Sequence, residues 1–554
     1  MLYGKEHPLI AELQNNYVKG KLTRRQFMRN AAFLGASMSS IGFFLSGNSS
    51  RQKAAAMESN ISVDDLARGG SMLVAMRVQR IDHPARLSWT APANIFRHVL
   101  EYLTYTDFEN VTHPRLLERW EPSDDLKTWT LYLRPEVYWS NGDQFVAEDV
   151  IFTMKEWLNP DVGSSVLGLM SYLNPNNIEK INDLTIKLHL DNAQIAVPEH
   201  LFHFPCFILN HRIFDGDILR RPVGTGPFIL EEYVEDERAI LRRREDYWDH
   251  GIDGNPLPYL DELRFVDLGE EQSALVSGFE AGRVHAFNPD DIQYALALDK
   301  NPNATLSSVT TGDVRLLRMR VDRPPWDDNR IRMALKLCQD REKIREMSHM
   351  GAGLLGEDHH IAPVYPAYYE MTPPEYNPER ARELLKEAGY PDGIEVDIIV
   401  SSGWPDTVSY AEILQEDAIK AGIRLNIKPV PVSVYWDQWT DVDLGITPWS
   451  HRSLETMVLR LAYTVDRDGN PVAWNETRWH DEEFLSLLDK AEMTFDVDER
   501  RKINKKIQTI QQERGSIGVA FWRDRHIVYN RKLENIVAHP SNFYDFRSVF
   551  WKKE

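Results

Sequence analysis

Residues 114–153 read PRLLERWEPSDDLKTWTLYLRPEVYWSNGDQFVAEDVIFT and combine three local structural signals. Over 126–133, apolar residues alternate with polar ones, which predicts a strand with one buried face. Asn141-Gly142-Asp143 is a turn of the kind that joins paired strands. Residues 147–158 return to helical spacing. A strand, a turn and a helix thus follow one another without a linker, which is typical of a protein that mixes α and β structure.

The same alternation of strands and helices continues along the chain. The sequence predicts strand pairs over 180–190 and 226–243, and further strands over 72–79, 395–400, 424–429 and 518–529. It predicts helices over 93–103, 271–281, 329–347, 379–388, 409–421, 481–493 and 498–513. No internal repeat and no low-complexity linker separates these elements. We therefore expect an α/β protein whose lobes are joined by crossing strands.

Length and charge limit the class of protein. The chain has 554 residues, so at roughly 100–200 residues per domain we expect two or more domains. Its formal net charge is −20, which argues against nucleic acid as a partner because nucleic acid is itself a polyanion. The charge does not restrict a small ligand, whose pocket can differ in sign from the whole surface.

Motifs for cofactor, metal and nucleophile chemistry are weak in this sequence. Residues 351–356 match G-x-G-x-x-G but follow a predicted helix rather than a strand, so we interpret them as a surface loop. The acidic and histidine residues at 357–360 are expected to form a solvated loop rather than a metal site. No G-x-S-x-G elbow occurs. We therefore expect no cofactor, no metal and no enzymatic activity.

The two cysteines are far apart in sequence, at Cys206 and Cys338. They form no C-x-x-C motif and no zinc-ligand spacing. One disulfide and two free thiols both remain open, and we favour two buried free thiols because free cysteine is among the most buried residue types.

A targeting segment precedes the globular part. Arg24 and Arg25 are followed by Phe27 and by an apolar, uncharged run over 31–45, shorter than the about 20 residues of a membrane span. Ala54-Ala55-Ala56 offers small residues for cleavage, so we predict a signal peptide that is cut near Ala56. The arginine pair resembles the twin-arginine consensus, which implies export to the periplasm by the twin-arginine translocase. The alternative is a basic patch before a short buried helix.

Five blocks along the mature protein share their order and spacing with one protein family. They are the stretch 114–153, VGTGPF at 223–228, YW with the later LDE at 247–262, PPWDDNRIRMAL at 324–335, and YNPERA with the later AGY at 376–390. Together they resemble the peptide/nickel/opine class of extracellular solute-binding proteins. Arg134, Asp149, Asp327 and Arg332 within them are expected to fix turns and helix starts rather than to contact ligand.

The resemblance implies a fold and a division of the sequence. We expect the two-lobed fold of periplasmic binding proteins, of the large type II class with an extra subdomain in the first lobe. Residues 1–56 would be the signal peptide with an N-terminal extension. The first lobe would span 57–310, with the extra subdomain at about 95–220, and would be completed by 521–554. The second lobe would span 311–520.

The resemblance also implies a function. The protein is expected to be the monomeric substrate-binding component of an ABC importer, closing two lobes over a solute and delivering it to the membrane permease. Two alternatives stay open. One is a periplasmic enzyme, with or without a cofactor, for which the twin-arginine signal is the main argument. The other is a sensor-type binding protein that presents its solute to a signalling partner.

Three loops are candidates for the ligand site, because pockets of α/β proteins lie at strand ends and are lined by aromatic groups. They are 87–90 between the first predicted strand and the first helix, 401–404 after the strand predicted at 395–400, and 447–452 after the apolar run 444–446. The candidate ligand-binding residues in and beside these loops are Trp89, Trp404, Trp436, Trp449, His451 and Arg452. Peptide-binding members of the family usually supply an aspartate near the third loop, and 449–452 contains no acid. Because a guanidinium suits carboxylates, we expect Arg452 to bind an anionic group, as in an opine, a sugar–amino acid conjugate or another carboxylated solute. The alternative is an exposed arginine in a salt bridge between the lobes.

Overall fold

The computed structural model describes residues 63–553 apart from 88, 270, 299 and 466–468. The targeting segment, with Arg24, Arg25, Phe27 and the cleavage position near Ala56, lies outside the described residues. In the part of the protein that is described, no helix has both the length and the apolar character of a membrane span.

The protein consists of two compact units, and the described residues of the smaller one are 63–67 and 552–553. Its described residues form a 3₁₀ turn at Val63–Asp65 and the strand Leu66–Ala67. The backbone amide of Lys553 donates to the carbonyl of Asp65 at 3.0 Å. The larger unit spans Arg68–Trp551 and contains the helices and the main sheet.

The elements of the described residues are numbered in sequence order. The strands are β1 Leu66–Ala67, β2 Ser71–Ala75, β3 Thr104–Thr106, β4 Thr112–Pro114, β5 Leu117–Pro122, β6 Thr128–Leu133, β7 Leu173–Asn182, β8 Thr185–Leu190, β9 Phe228–Val234, β10 Arg238–Arg243, β11 Glu262–Val266, β12 Ala286–Phe287, β13 Ala304–Met319, β14 Leu354–Leu355, β15 Ile394–Ser401, β16 Ile423–Val430, β17 Leu444–Trp449, β18 Ile517–Asn530, β19 Leu533–Glu534 and β20 Phe550–Lys552. The helices are α1 Thr90–Phe96, α2 Ala147–Leu158, α3 Val197–His200, α4 Gln272–Glu280, α5 Ile292–Leu296, α6 Asn329–Leu337, α7 Arg341–His349, α8 Pro378–Glu387, α9 Pro405–Ala418, α10 Val432–Gln438, α11 Glu455–Ala462, α12 Glu482–Glu492 and α13 Val497–Arg514.

One large sheet organises the larger unit. Its strand order is β16-β15-β17-β13-β18-β12-β2-β11-β10-β9, with β14 paired to β18. The two long strands β13 and β18 lie antiparallel at its centre, and their register shifts between Thr310 and Val314. Strands from the first half of the sequence extend the sheet on one side and strands from the second half extend it on the other. β13 and β18 are therefore the crossing strands that the sequence suggests, while the lobe boundaries at residues 310 and 520 stay a prediction.

The stretch 114–153 folds as its pattern predicts. β6 alternates between buried and half-buried residues and lies inside the four-stranded sheet β5-β6-β8-β7. The helix α2 begins at Ala147, and Asp149 in its first turn accepts a hydrogen bond from the backbone amide of Val146 at 3.0 Å. Asp149 also accepts from the indole of buried Trp139 at 3.1 Å, so this carboxylate fixes the turn as expected.

Two predicted helices differ from the structure. The helix predicted over 329–347 is broken between α6 and α7, because Asp340 caps α7 by accepting from the amide of Lys343 at 3.1 Å. The helix predicted over 93–103 instead starts at Thr90 and ends at Phe96. Both cysteines are free and buried, which confirms the favoured prediction.

The solvated loop predicted over 357–360 is wrong, because all four side chains are buried. Glu357 pairs with His359 at 2.7 Å, and Asp358 forms an ion pair with Arg341, also at 2.7 Å. His360 is hydrogen-bonded to the hydroxyl of Tyr463 at 2.8 Å. Arg341 and Tyr463 reach these residues from other segments of the fold, which local sequence does not reveal. Among the described residues, no cluster of three or more His, Cys, Asp or Glu side chains is placed to hold a metal ion.

Candidate functional site

Three strands of the second half of the sequence end at the same edge of the sheet. β15 is parallel to β16 and to β17, so the carboxyl ends of all three point the same way. The segments that follow them carry Trp404, Trp436 on α10, and the loop from Trp449 to Arg452. Such an edge is where α/β proteins place ligand sites. The fold therefore brings together five of the six predicted site residues: Trp404, Trp436, Trp449, His451 and Arg452.

Five indole rings form a continuous series at this edge, which we call the tryptophan row: Trp404, Trp436, Trp439, Trp449 and Trp474. Successive ring centroids are 5.4, 5.4, 6.3 and 6.0 Å apart. Three of the four pairs are edge-to-face, at interplanar angles of 68°, 78° and 71°, and the Trp439–Trp449 pair is tilted at 59°. This arrangement is the one that aromatic quadrupoles favour.

The row is exposed at some rings and buried at others. Trp436 and Trp474 are 39% and 44% exposed, whereas Trp449 is 4% exposed. Large exposed apolar side chains that cluster are characteristic of binding surfaces. The indole N–H of Trp449 donates to Glu476 at 2.7 Å. The indole N–H groups of the other four have no hydrogen-bond partner in the part of the protein that the structure describes.

A buried ion pair holds the row from beneath. Arg318 on β13 and Glu476 approach to 3.1 Å, and both side chains are almost fully excluded from solvent. Glu476 also accepts from the hydroxyl of Thr447 at 2.6 Å, and Thr447 is hydrogen-bonded to Tyr435 at 2.7 Å. Burial raises the pKa of Glu476 above its ordinary value, although Arg318 opposes this. These contacts fix the position of Trp449.

Arg452 lies next to the exposed end of the row. Its guanidinium carbon is 5.9 Å from the centroid of the Trp474 ring. One terminal nitrogen donates to the carbonyls of Ser450 and His451, both at 3.2 Å. Within the described residues, no carboxylate lies within 4.0 Å of this guanidinium. Arg452 is therefore a half-buried cation whose charge is not neutralised by a neighbouring acid.

His451 is engaged by the protein itself. Its Nδ1 accepts from the amide of Gly312 at 3.1 Å, so Nε2 carries the proton and donates to Asn110 at 3.0 Å. Asn110 lies in the turn between β3 and β4 and donates to the carbonyl of Ser453 at 2.9 Å. With both ring nitrogens occupied, His451 positions its loop against the β3–β4 turn. Arg452 uses only one of its nitrogens in the described hydrogen bonds and keeps its other donors for a ligand.

A series of charges crosses the sheet below the loops. Arg315 on β13 donates to Asp406 in the first turn of α9 at 2.7 Å, and Arg523 on β18 is 3.6 Å from the same carboxylate. Arg525 on β18 pairs with Asp313 at 2.8 Å. Asp313 in turn accepts from the amide of His451 at 2.6 Å. These contacts tie the candidate loops to the two crossing strands.

Trp89 is apart from the other predicted residues. It precedes α1 and is 66% exposed, and it makes no ring contact with any residue that the structure describes. The predicted site residues did not include Trp439, Trp474 or the supporting Glu476. Trp439 lies three residues after Trp436, one helical turn away, which was an available signal. Trp474 had no such signal, because it comes from a loop distant in sequence.

The mixed α/β fold, with a candidate ligand site at the carboxyl edge of its strands, is that of the two-lobed periplasmic binding proteins. The sequence matches the family described as bacterial extracellular solute-binding proteins, family 5 middle, over residues 111–469. The chain belongs to this family, whose members are transport proteins rather than enzymes.

Individual relatives share about a quarter of their residues with this chain. The di/tripeptide-binding protein 1 of Pseudomonas aeruginosa (strain UCBPP-PA14) is 28% identical over 439 residues, covering 72% of this chain and 78% of that protein. Heme-binding protein A of Haemophilus influenzae is 25% identical, covering 73% of this chain and 77% of that protein.

Solved structures confirm the predicted two-lobed fold. HbpA2 from Haemophilus parasuis superposes with a TM-score of 0.77 at 22% identity, covering 87% of this chain and all of that one. The PBP AgaA from A. tumefaciens R10, in complex with agropinic acid, gives 0.69 at 20% identity and covers 88% of this chain and 99% of that one. At these identities the structures bear on the fold alone.

Proposed function

We propose that this protein is the periplasmic substrate-binding component of an ABC importer, which captures a small carboxylated solute and delivers it to the permease. The observation that carries the proposal is Arg452, a guanidinium without an acidic partner at the edge where the tryptophan row is exposed. Family membership supports the transport role. The protein acts as a monomer in this proposal.

The chemistry of the site favours a carboxylate on the solute. Arginine presents a planar fork of N–H donors that matches the two oxygens of a carboxylate. Relatives are named for di- and tripeptides and for glutathione, all of which carry carboxylates. The loop from Trp449 to Arg452 contains no acid to pair with a peptide amine. We therefore favour an opine-like or other carboxylated compound over a simple peptide.

The experiment that tests this function is native mass spectrometry of the protein purified from periplasm, followed by thermal shift with the compound that is found. Ligand at about 100 times its Kd adds roughly 2.7 kcal/mol to the free energy of unfolding. A rise in Tm on adding back the retained compound supports solute binding. If no compound is retained and no peptide, opine or sugar acid raises Tm, the proposed function is contradicted.

Replacing Arg452 by alanine should weaken binding of the retained solute by about 10- to 100-fold, because a hydrogen bond to a charged group contributes about 1.5–3 kcal/mol. Isothermal titration calorimetry measures this. Arg452→Lys keeps the charge but loses the planar fork of donors, so its affinity for the solute should lie between those of Arg452→Ala and the unaltered protein. Arg220→Ala removes an exposed arginine elsewhere and serves as the matched control. Equal affinities of Arg452→Ala and the unaltered protein would show that this arginine does not bind the solute.

Export is proposed to follow the twin-arginine route, with cleavage near Ala56. Replacing both Arg24 and Arg25 by lysine should leave folded precursor in the cytoplasm, because the translocase reads the arginine pair as an address. Fractionation and immunoblotting against the mature region measure the distribution. Replacement of Lys19 and Lys21 by arginine, which leaves the pair intact, is the control. If the amount of periplasmic protein were unchanged in the double-lysine variant, the segment would direct export by a route other than the twin-arginine translocase.

A further inference from the structure

A small cavity lies where the end of α1, the strand β3 and the C-terminal segment meet. Three arginines, Arg97, Arg115 and Arg547, and two acids, Glu101 and Asp545, line it together with aromatic side chains. Its described lining includes no residue of the tryptophan row. The cavity volume is about 20 Å³, which is about the space that one water molecule or one ion of similar size needs.

Both acids of the cavity are bound to two of the three arginines. Glu101 accepts from Nε of Arg115 at 2.8 Å and from the hydroxyl of Tyr247 at 2.7 Å. Asp545 accepts from Nε of Arg547 at 2.8 Å. The negative charges of the cavity are therefore engaged by Arg115 and Arg547, and neither acid pairs with Arg97.

Arg97 is the cation of the cavity without an acidic partner. Within the described residues, no carboxylate lies within 4.0 Å of its guanidinium, and its hydrogen bond to the hydroxyl of Tyr102 is long, at 3.5 Å. Its Nε is buried and has no hydrogen-bond partner among those residues. The guanidinium carbon instead lies 4.3 Å from the centroid of the Phe543 ring. Burial lowers the pKa of Arg97, Tyr102 and Asp545 oppose this, and repulsion by Arg547 adds to it.

Arg547 offers a second set of N–H donors to the cavity. Its Nε and Nη2 donate to Asp545, whereas Nη1 makes no hydrogen bond in the part of the protein that the structure describes and is 4.0 Å from Glu101. A water molecule in the cavity could accept from these donors, but it would leave the buried charge of Arg97 uncompensated, which is costly. A monatomic anion would accept from the same donors and supply the missing negative charge.

From these contacts we infer that the cavity binds one inorganic anion of about the size of chloride, held between the guanidinium groups of Arg97 and Arg547. Arg97 directly follows α1, whereas Arg547 belongs to the C-terminal segment. The bound ion therefore joins two parts of the chain that are far apart in sequence and stabilises their packing. This inference concerns a second site and does not rest on the proposed transport function.

Bromide can replace chloride and scatters anomalously, so diffraction from crystals grown in sodium bromide tests the site in the unaltered protein. We expect an anomalous peak beside the guanidinium groups of Arg97 and Arg547. Arg97→Met keeps a long side chain but removes its charge, and should abolish the peak. Arg220→Met, which removes an exposed arginine elsewhere, should leave it in place. No peak in the cavity, or a peak that persists in Arg97→Met, would overturn the inference.

Thermal unfolding tests whether the ion binds in solution. The Tm of the unaltered protein should be at least about 1 °C higher in sodium chloride than in equally concentrated sodium methanesulfonate, whose anion is too large for the cavity, because a ligand of the folded state stabilises it. The difference should vanish in Arg97→Met and persist in Arg452→Ala. Equal Tm values in the two salts would refute the site, and a bromide peak would then be an adventitious ion only. A difference lost in Arg452→Ala but kept in Arg97→Met would refute it too, by placing the ion at the tryptophan row.

Discussion

The free energy of unfolding should fall steeply between pH 6.5 and pH 4.5, by on the order of 10 kcal/mol. Burial lowers the pKa of eight histidines among the described residues to about 3 or about 4. They are His98, His200, His203, His349, His360, His451, His526 and His539. In the unfolded protein each titrates near 6.5, so unfolding takes up protons as the pH falls. Each group contributes about 1.4 kcal/mol per pH unit in this window.

The sign of this effect follows from the direction of the pKa shifts. A histidine with a lowered pKa stabilises the fold fully above pH 6.5 and loses that contribution as the pH falls toward its folded value. Among the residues that the structure describes, burial raises the pKa of four carboxyl groups, which act in the opposite direction over the same range: Glu199, to about 7, and Glu476, Glu492 and Asp524. The histidines outnumber them, so the net effect of acidification is destabilising.

Urea unfolding at a series of pH values measures how the free energy of unfolding changes with pH. The variant His349→Phe isolates the contribution of one histidine to this change. The His349 ring is stacked on Phe521, and neither of its nitrogens has a hydrogen-bond partner in the described residues. Arg523, Arg315 and His526 disfavour its protonation and Asp406 favours it, while burial has the largest effect on its pKa. The variant should take up about one proton fewer on unfolding at pH 5. His189→Gln, at an exposed position, is the control. A flat stability profile from pH 6.5 to 4.5 would contradict the prediction.

Breaking the ion pair under the tryptophan row should lower the free energy of unfolding by about 3–5 kcal/mol, because it leaves a buried charge without a partner. Arg318→Ala does this to Glu476, which is inaccessible to solvent. The same change should disturb Trp449, whose indole N–H depends on that carboxylate. Urea unfolding measures the stability, and near-ultraviolet circular dichroism measures the environment of the indole.

Two further variants make the experiment specific to a buried pair. The double replacement Arg318→Met with Glu476→Leu should recover part of the loss, because a buried pair exchanged for apolar side chains no longer carries an unpaired charge. Arg380→Ala removes one partner of an exposed helix pair with Glu383 and should cost less than about 1 kcal/mol. If Arg318→Ala cost no more than Arg380→Ala, the pair would not be what fixes Trp449.

Local pattern was sufficient for much of the fold. β6 was predicted from the alternation of apolar and polar residues, and α2 from the helical spacing of its apolar residues, because both patterns involve only residues close in sequence. The strand β13 was missed because its first half is polar and only half-buried, so it lacks a clear apolar face. The break before α7 was missed because Asp340 gains its capping role only when the backbone turns there. Segments whose conformation depends on a distant partner are the ones that sequence alone does not predict.

The candidate site was predictable to the extent that it follows strands. Trp404 was found because its loop directly follows a predicted strand, and Arg452 because its loop follows a short apolar run, which the structure shows to be part of β17. Trp474 was missed, since only the folded protein brings it against Trp449. His451 was predicted to contact ligand, but its two nitrogens are occupied by Gly312 and Asn110. Residue type and position indicate where a site lies, whereas tertiary contacts decide which side chains remain available.

The tryptophan row also gives the protein an intrinsic optical reporter. Its five indoles come from segments spread over residues 404–474, and each ring lies within 6.3 Å of a neighbour. Rings at such separations share their electronic excitations, so they produce a joint circular dichroism signal that individual tryptophans in the unfolded protein lack. A solute that displaces Trp436 or Trp474 would change this signal without any attached dye. Ligand screening can therefore follow the circular dichroism of the unmodified protein.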